Sequence, residues 1–427
     1  MSLTTIPKIN RIIKPHPFEY RHRVICGDTD LYIVPAAHSL NLVKIELVLD
    51  RGRFEEEKKL SSRFCARMLK EGTSARNNDA INDLFDFYGA SFSVQYHLDY
   101  ASFSLVCMKE YCLHLIPLIF EIVSSPVFDP AELELLKKKA RSKLKISLAH
   151  NDSLSFRELT EQIFGPAHPY GYNSTPEDIH KIQTTDLRRF HDKNYRRPYF
   201  KIYVAGNVDQ DIEEEIETQV SQLPAGPAVP FVKKWDASMP DTPPELKYFK
   251  NDYAFNTQSA IKMGKKIVKR DHPDFIPLHF LNTLLGGFFG SRLMQNIREE
   301  QGLTYNIYSD LEPMKHGAYF MIGTEVKTGN IDRAITLIRR EIEILQQEPV
   351  QEAELNMVRN YIKGYLLSSL DGVFSKMEMI KILTLESMEI QWIFDFFDRL
   401  DQIRPADLPT LVEKYLKREE LYTVVVN

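Results

Sequence analysis

No stretch of this 427-residue chain approaches the roughly 18 consecutive apolar residues of a membrane-crossing helix. No run of lysine and arginine that would track a phosphate backbone occurs either, and the net charge is −5. Membrane and nucleic acid are therefore both set aside as partners. Cysteine is scarce. Cys26, Cys65, Cys107 and Cys112 show no CxxC spacing and no framework density, so they read as buried thiols of a reducing compartment. The opening MSLTTIPKINRIIKPHPFEY holds no apolar segment ahead of a small-residue cleavage site. A cytoplasmic location is expected, with the periplasm as the alternative if the MSL start is a cloning scar left after a leader was trimmed. There is no GxSxG turn, no GxxxxGK[ST] loop and no HExxH, and the stretch from His16 to His22 has the wrong spacing for a metal pair and contains Pro17. No cofactor is expected.

What is present is an ordinary globular composition, 43% hydrophobic and 26% charged, at a length that exceeds one comfortable core. One linker stands out, Leu223 to Leu246, where Pro224, Pro227, Pro230, Pro240, Pro243 and Pro244 block helix and central strand alike. It separates an N-terminal extension (1–23) and a first domain (24–222) from a second domain (247–427).

In the first half, Val43, Ile45, Leu47 and Leu49 alternate with Lys44 and Glu46 and predict a strand over Leu42 to Asp50. A helix is predicted from about Glu57 to Glu71, with Leu60, Phe64 and Met68 four apart and Gly72 placed to stop it. A hairpin follows over Phe92 to Met108, turning near Asp99, then a helix carrying Leu113, Leu115, Leu118 and Ile119. The second half repeats the plan, with a helix over Phe275 to Leu285, a hairpin over Leu303 to Lys327 and a helix over Asn330 to Leu345. The two ends also match: Asp186, Leu187 and Tyr195 precede KIYVAGN, and Asp407, Leu408 and Tyr415 precede LYTVVVN. An internal duplication follows, giving an α+β protein of two homologous domains, each a mostly antiparallel sheet packed with helices.

Two segments bring a family to mind. GPAHPYGYNSTPEDIHKIQTTDLRRFHDKNYRRPYFKIYVAGNVD, from Gly165, is similar to the end of the first domain in insulinase/pitrilysin metallopeptidases. GGFFGSRLMQNIREEQGLTYNIYS, from Gly286, resembles their second-domain signature, and the resemblance runs from about Val24 to the C-terminus. Active members bind zinc through His-x-x-Glu-His on a helix: two histidines four apart share one face, and the Glu activates the zinc-bound water. That motif directly precedes a Gly-Thr pair, here Gly72-Thr73, so reading back through RFCARMLKEGT puts Arg63, Ala66 and Arg67 at the metal positions. Arginine offers no lone pair and alanine no base. The third ligand of the family, a downstream Glu, should fall near Lys143 to Lys145, and no Glu occurs between Glu134 and Glu158. The resemblance thus implies a chain that is not a zinc peptidase by itself. Arg63 and Arg67, with Lys143 or Lys145 nearby, form a cationic patch that either binds an anion or pairs with local acids such as Glu56 or Glu57.

The second-domain signature is intact. In active members an Arg and a Tyr at the spacing of Arg298 and Tyr305 contact substrate near the scissile bond, the guanidinium bonding peptide carbonyls and the phenol the developing oxyanion. The glycines Gly286-Gly287 serve either helix-end backbone geometry or an open substrate channel, and the strand near Ala90 to Tyr96 occupies the place of the family's substrate-pairing edge. The resemblance is to the non-catalytic subunit type related to mitochondrial processing peptidase subunits. It implies a heterodimer with a zinc-bearing homologue, closed around a peptide substrate. The alternatives are a structural or assembly protein and a stand-alone peptide-binding homodimer of the same fold.

Overall fold

Strands such as LVKIELVL and YTVVV are apolar on both faces, so each sheet needs a covering layer on either side. The computed structural model describes residues 15–36, 40–226, 244–252 and 258–427. Pro227, Pro230, Pro240 and Pro243 of the linker and most of the N-terminal extension lie outside the described residues.

The first sheet holds β1 (Arg21–Ile25), β2 (Thr29–Pro35), β3 (Leu42–Leu49), β4 (Ser91–Tyr96), β5 (Ala101–Met108) and β6 (Phe200–Gly206), in the order β1-β2-β6-β3-β5-β4. The second holds β7 (Leu246–Phe249), β8 (Gln258–Lys266), β9 (Ile307–Met314), β10 (Gly317–Lys327) and β11 (Tyr422–Val426), in the order β7-β11-β8-β10-β9. Without β1 the two orders are the same. β2 runs parallel to β6 as β7 does to β11, and the remaining pairs are antiparallel. The duplication expected from the sequence is therefore present strand for strand.

Among the described residues the α-helices of the first half are α1 (Ser61–Met68), α2 (Asn78–Phe87), α3 (Lys109–Ser124), α4 (Pro130–Leu148), α5 (Asn151–Phe164), α6 (Pro176–Lys181), α7 (Thr184–Asn194) and α8 (Gln210–Gln222). The second half adds α9 (Phe275–Gly286), α10 (Ile331–Gln347), α11 (Glu352–Ser368), α12 (Val373–Leu385), α13 (Trp392–Gln402) and α14 (Asp407–Tyr415). The repeated Asp residues do the same work in both halves. Asp186 accepts the Gln183 N–H at 2.9 Å, and Asp407 accepts the Arg404 N–H at 2.9 Å, fixing the first turns of α7 and α14.

One face of each sheet is covered by helices of its own half. The other face is covered by exchange. Leu159, Ile163 and Phe164 of α5 pack among Tyr319, Met321, Tyr422 and Val424 of the second sheet. Met377, Ile380 and Leu383 of α12 pack among Tyr32, Val34, Val48 and Tyr203 of the first. Polar contacts pin both helices: Lys262 Nζ lies 2.6 Å from Asp152, and Lys381 Nζ donates to Glu46 at 2.6 Å. Glu46 reads in the sequence as a polar position of an alternating strand. It is instead buried beneath α12, with 2% of its surface exposed.

Candidate functional site

The helix carrying Arg63, Ala66 and Arg67 begins at Ser61, four residues later than the sequence pattern predicts. Leu60 holds the left-handed φ of 72° and breaks the run. Glu56 then serves the helix start from outside it, accepting the N–H groups of Leu60 and Ser62 at 3.1 Å each and the Ser62 hydroxyl. A fourth donor, the Tyr172 phenol, reaches Glu56 at 2.5 Å. Burial pushes the Glu56 carboxyl above its ordinary range, against the hydrogen bonds of Ser62 and Tyr172, which pull it down. At the other end, Gly72 takes a φ of 153°, and Thr73 donates to Glu121 at 2.5 Å, so the Gly-Thr pair terminates the helix and ties it to α3.

Ala66 is fully buried, while Arg63 and Arg67 share the partly exposed face of α1. The expected pairing with Glu56 or Glu57 is absent. Glu56 is taken up as described, and Glu57 accepts Lys193 at 2.8 Å with Arg189 at 3.9 Å. Among the described residues neither Arg63 nor Arg67 makes a hydrogen bond or an ion pair. Burial, followed by the charge of Arg67, lowers the Arg63 guanidinium below its ordinary range, and Tyr96, Arg53 and Tyr172 are its next electrostatic neighbours. Lys143 and Lys145 sit exposed on α4, and no described contact brings either to these arginines. No group of three or more His, Cys, Asp or Glu is placed to hold a metal ion among the described residues.

The surroundings of α1 include three side chains, Tyr96, Arg53 and Tyr172, that sequence reasoning did not connect with it. Tyr96, the last residue of β4, lies 3.1 Å from the Ser62 hydroxyl and fastens the strand end to the helix start. Arg53 donates to the carbonyls of Pro169 and Tyr172 at 3.1 and 3.2 Å and stacks its guanidinium 4.4 Å above the Tyr172 ring. A cleft of about 420 Å³ opens beside it between the halves, with Asp50, Arg53 and Tyr172 on one wall and Arg270, Lys315 and Glu386 on the other. The string PYGYN contains the only sequence signal for Tyr172, and nothing in it points to α1.

β4 ends the first sheet, and its residues alternate between exposed and half-buried. Phe92 and Val94 lean on the core while Ser91, Ser93 and Gln95 face out. No second strand pairs with its outer side among the described residues.

Arg298 lies in a π-helical turn, Met294–Glu300, a widened geometry common at working sites. Its guanidinium is 3.1 Å from Glu299 and 5.0 Å above the Phe289 ring. The hairpin predicted from Leu303 onward starts at Ile307, so Tyr305 lies outside it; it precedes β9 by two residues, with its surface 87% exposed. The loop beneath is pinned, because Thr304 donates to the Glu325 carbonyl at 2.7 Å and Thr324 to the Asn306 carbonyl at 2.9 Å. No described hydrogen bond, ion pair or ring contact joins Arg298 or Tyr305 to α1. Gly286 serves close packing: a Cβ there would meet the Ser309 nitrogen of β9 at 2.5 Å.

A duplicated pair of α+β domains, locked together by exchanged helices, defines the class of this chain. The chain belongs to the insulinase family of peptidases, M16. The family model for Insulinase (Peptidase family M16) matches residues 33–168, and the model for the Peptidase M16 inactive domain matches residues 181–362. Among relatives, the "Uncharacterized zinc protease YmxG" of Bacillus subtilis is 24% identical over 319 residues, 74% of this chain and 76% of that protein. The "Non-peptidase homolog YmxG" of Helicobacter pylori is 24% identical over 312 residues, 71% of this chain and 69% of that one. A crystal structure of a peptidase M16 inactive domain from Pseudomonas fluorescens shares the fold at a TM-score of 0.86 and 22% identity, covering 96% of this chain and 98% of that one. A protease from Helicobacter pylori does so at 0.85 and 14%, covering 96% and 100%. No helix among the described residues is long and apolar enough to cross a membrane.

Proposed function

We propose that this chain is a zinc-less, non-catalytic subunit that contacts peptide within a metallopeptidase completed by a zinc-bearing homologue. One contrast carries the reading. Arg63, Ala66 and Arg67 stand where the family's ligands and base would be, while Arg298 and Tyr305 are kept and the tyrosine is presented, 87% exposed, on a pinned loop. The donor set does not fit zinc: two guanidiniums repel a cation, and a methyl group cannot activate water. A phenol presented in the open on a pinned loop is suited to donate to an oxyanion that a second chain generates. Phe289, 63% exposed beside Arg298, adds apolar surface for that chain to cover. A relative named as a non-peptidase homologue supports the same direction. Four unpaired thiols favour the cytoplasm as its compartment.

The test is a pull-down of the tagged chain from its native lysate, with mass spectrometry of what copurifies. A stoichiometric partner of similar size bearing His-x-x-Glu-His is expected, and Arg298→Ala or Tyr305→Phe should then lower the peptidase activity of the complex. Recovery of this chain alone, from a lysate containing such a homologue, refutes the subunit reading. A stand-alone peptide binder is the second reading, favoured by the open β4 edge within a single chain. A purely structural role has no use for the exposed tyrosine.

A further inference from the structure

Two like charges four residues apart on a helix face repel each other, and elsewhere in this protein comparable cations are answered. Arg292 is held by both oxygens of Glu354 at 2.8 Å, Arg270 by Glu386 at 2.9 Å, and Lys381 by Glu46 at 2.6 Å. Arg63 and Arg67 are not answered, although two carboxylates, Glu56 and Glu57, lie within seven residues of Arg63 in the sequence. Glu56 already accepts four donors from the helix start and Tyr172, and Glu57 faces Lys193 and Arg189. The acids are thus spent on building the helix and its flank, and the guanidinium pair is left with an open anion-binding face.

Its position gives that face a ligand. Tyr96 closes β4 and is fastened to Ser62 of the same helix, so the arginines lie next to the end of an unpaired sheet edge. An extended peptide laid on that edge gains main-chain hydrogen bonds of little sequence preference. We propose that Arg63 and Arg67 form a carboxylate-binding site at the Tyr96 end of β4, which selects peptides bearing a carboxylate there. The proposal deepens the peptide-contacting reading and rests on it. Strand polarity sorts the two sources of the carboxylate. A peptide added parallel to β4 brings its C-terminus to Tyr96, whereas an antiparallel one brings an Asp or Glu side chain from near its N-terminus.

The experiment titrates the full-length protein with ten-residue peptides carrying an uncharged boron-dipyrromethene label, read by anisotropy. One neutral sequence is made as the free acid and as the C-terminal amide, and the amide is also made with Glu at its second residue. A guanidinium–carboxylate bond across a half-buried site is worth roughly tenfold to a hundredfold in affinity. The free acid, or the Glu-bearing amide, should therefore bind at least tenfold more tightly than the neutral amide, and whichever does so reports the polarity. In Arg63→Gln/Arg67→Gln, checked for folding by circular dichroism, the preference should vanish while the weaker binding remains. Arg67→Gln alone should reduce the preference if the double variant does not fold. Equal binding of all three peptides to the unmodified protein overturns the carboxylate site but leaves peptide binding intact. Binding of none overturns the carboxylate site and the stand-alone peptide-binding reading, while the subunit reading is decided separately by the pull-down.

Discussion

The exchange of α5 and α12 makes one buried ion pair a test of the whole architecture. Lys381 on α12 donates to Glu46 on β3 at 2.6 Å, with 6% and 2% of the two side chains exposed. Glu378 lies 2.5 Å from Lys381 and 2.5 Å from Lys44, and Lys44 faces the second oxygen of Glu46 at 3.3 Å without a well-aligned hydrogen bond. Lys381→Met keeps the aliphatic stem and deletes the charge, leaving Glu46 buried with Lys44 as its remaining partner. Breaking such a pair costs about 3–5 kcal/mol, and the residual Lys44 contact places the expectation near 3 kcal/mol. Glu46→Leu/Lys381→Met removes both charges together. It should restore most of the lost stability, because desolvation is no longer uncompensated and Lys44 retains Glu378. Urea unfolding followed by far-UV circular dichroism and by fluorescence should show one shared transition, shifted in the single variant and largely recovered in the double. If single and double variants lose the same stability, the pair does not hold α12 to β3. If two transitions separate and one alone shifts, the halves are not interlocked.

Three further outcomes are expected. Gly52→Ala would place a Cβ 2.2 Å from the Leu98 carbonyl oxygen, so overpacking should cost about 1–3 kcal/mol, measured as a fall in the urea midpoint. His279, walled in by Phe275 and Phe396, is pushed down to about 4, by burial first and then by the Arg270 charge. A depressed histidine adds stability that is full above its unfolded value near 6.5 and is lost as pH falls toward 4. His279→Leu should therefore spare roughly 2 kcal/mol of the stability otherwise lost between pH 7 and pH 5, read from paired urea melts. Tyr305→Ala, at a position 87% exposed, should change stability by less than about 0.5 kcal/mol while lowering activity of the complex by roughly a hundredfold; a large stability loss would make the residue structural.

Elements whose own periodicity reports their burial were legible. β3, both hairpins and α3, α9 and α10 fall within a few residues of the pattern, since alternation or a 3.6-residue stripe records which face is inside. The repeated topology was legible for the same reason. The start of α1 was not, because a leucine at φ 72° and a cap supplied by Glu56 from outside the helix break no pattern in the letters. Nor was the exchange of α5 and α12. A helix's stripe says that it is covered and is silent about which sheet covers it, and Glu46 reads as solvent-facing until α12 lies over it. The candidate site divides likewise. Arg63, Arg67, Arg298 and Tyr305 are expectations carried by the family resemblance, whereas Tyr96, Tyr172 and Arg53 come to α1 through tertiary contacts.

The interlock also bears on how a peptide would enter. Tyr172, which bonds the carboxylate at the head of α1, sits on a segment fixed to α5: Asn173 donates to the Arg157 carbonyl at 2.8 Å, and Arg157 to the Ser174 carbonyl at 2.7 Å. α5 in turn is seated on the second sheet, through Leu159 and Ile163 and through Lys262 at Asp152. The head of α1 is thus positioned by the opposite half, and swinging the halves apart would strip Tyr172 from Glu56 and α12 from β3 at once. Burial on both exchanged faces sets a cost well above that of an ordinary interdomain hinge, where polar contacts slide with little loss. The interlock then leaves no hinge within the chain to open or close the β4 edge. The isolated protein should accordingly show the same small-angle scattering radius with and without saturating peptide. A contraction on peptide binding would mean that a hinge exists within the chain and that the exchanged helices yield to it.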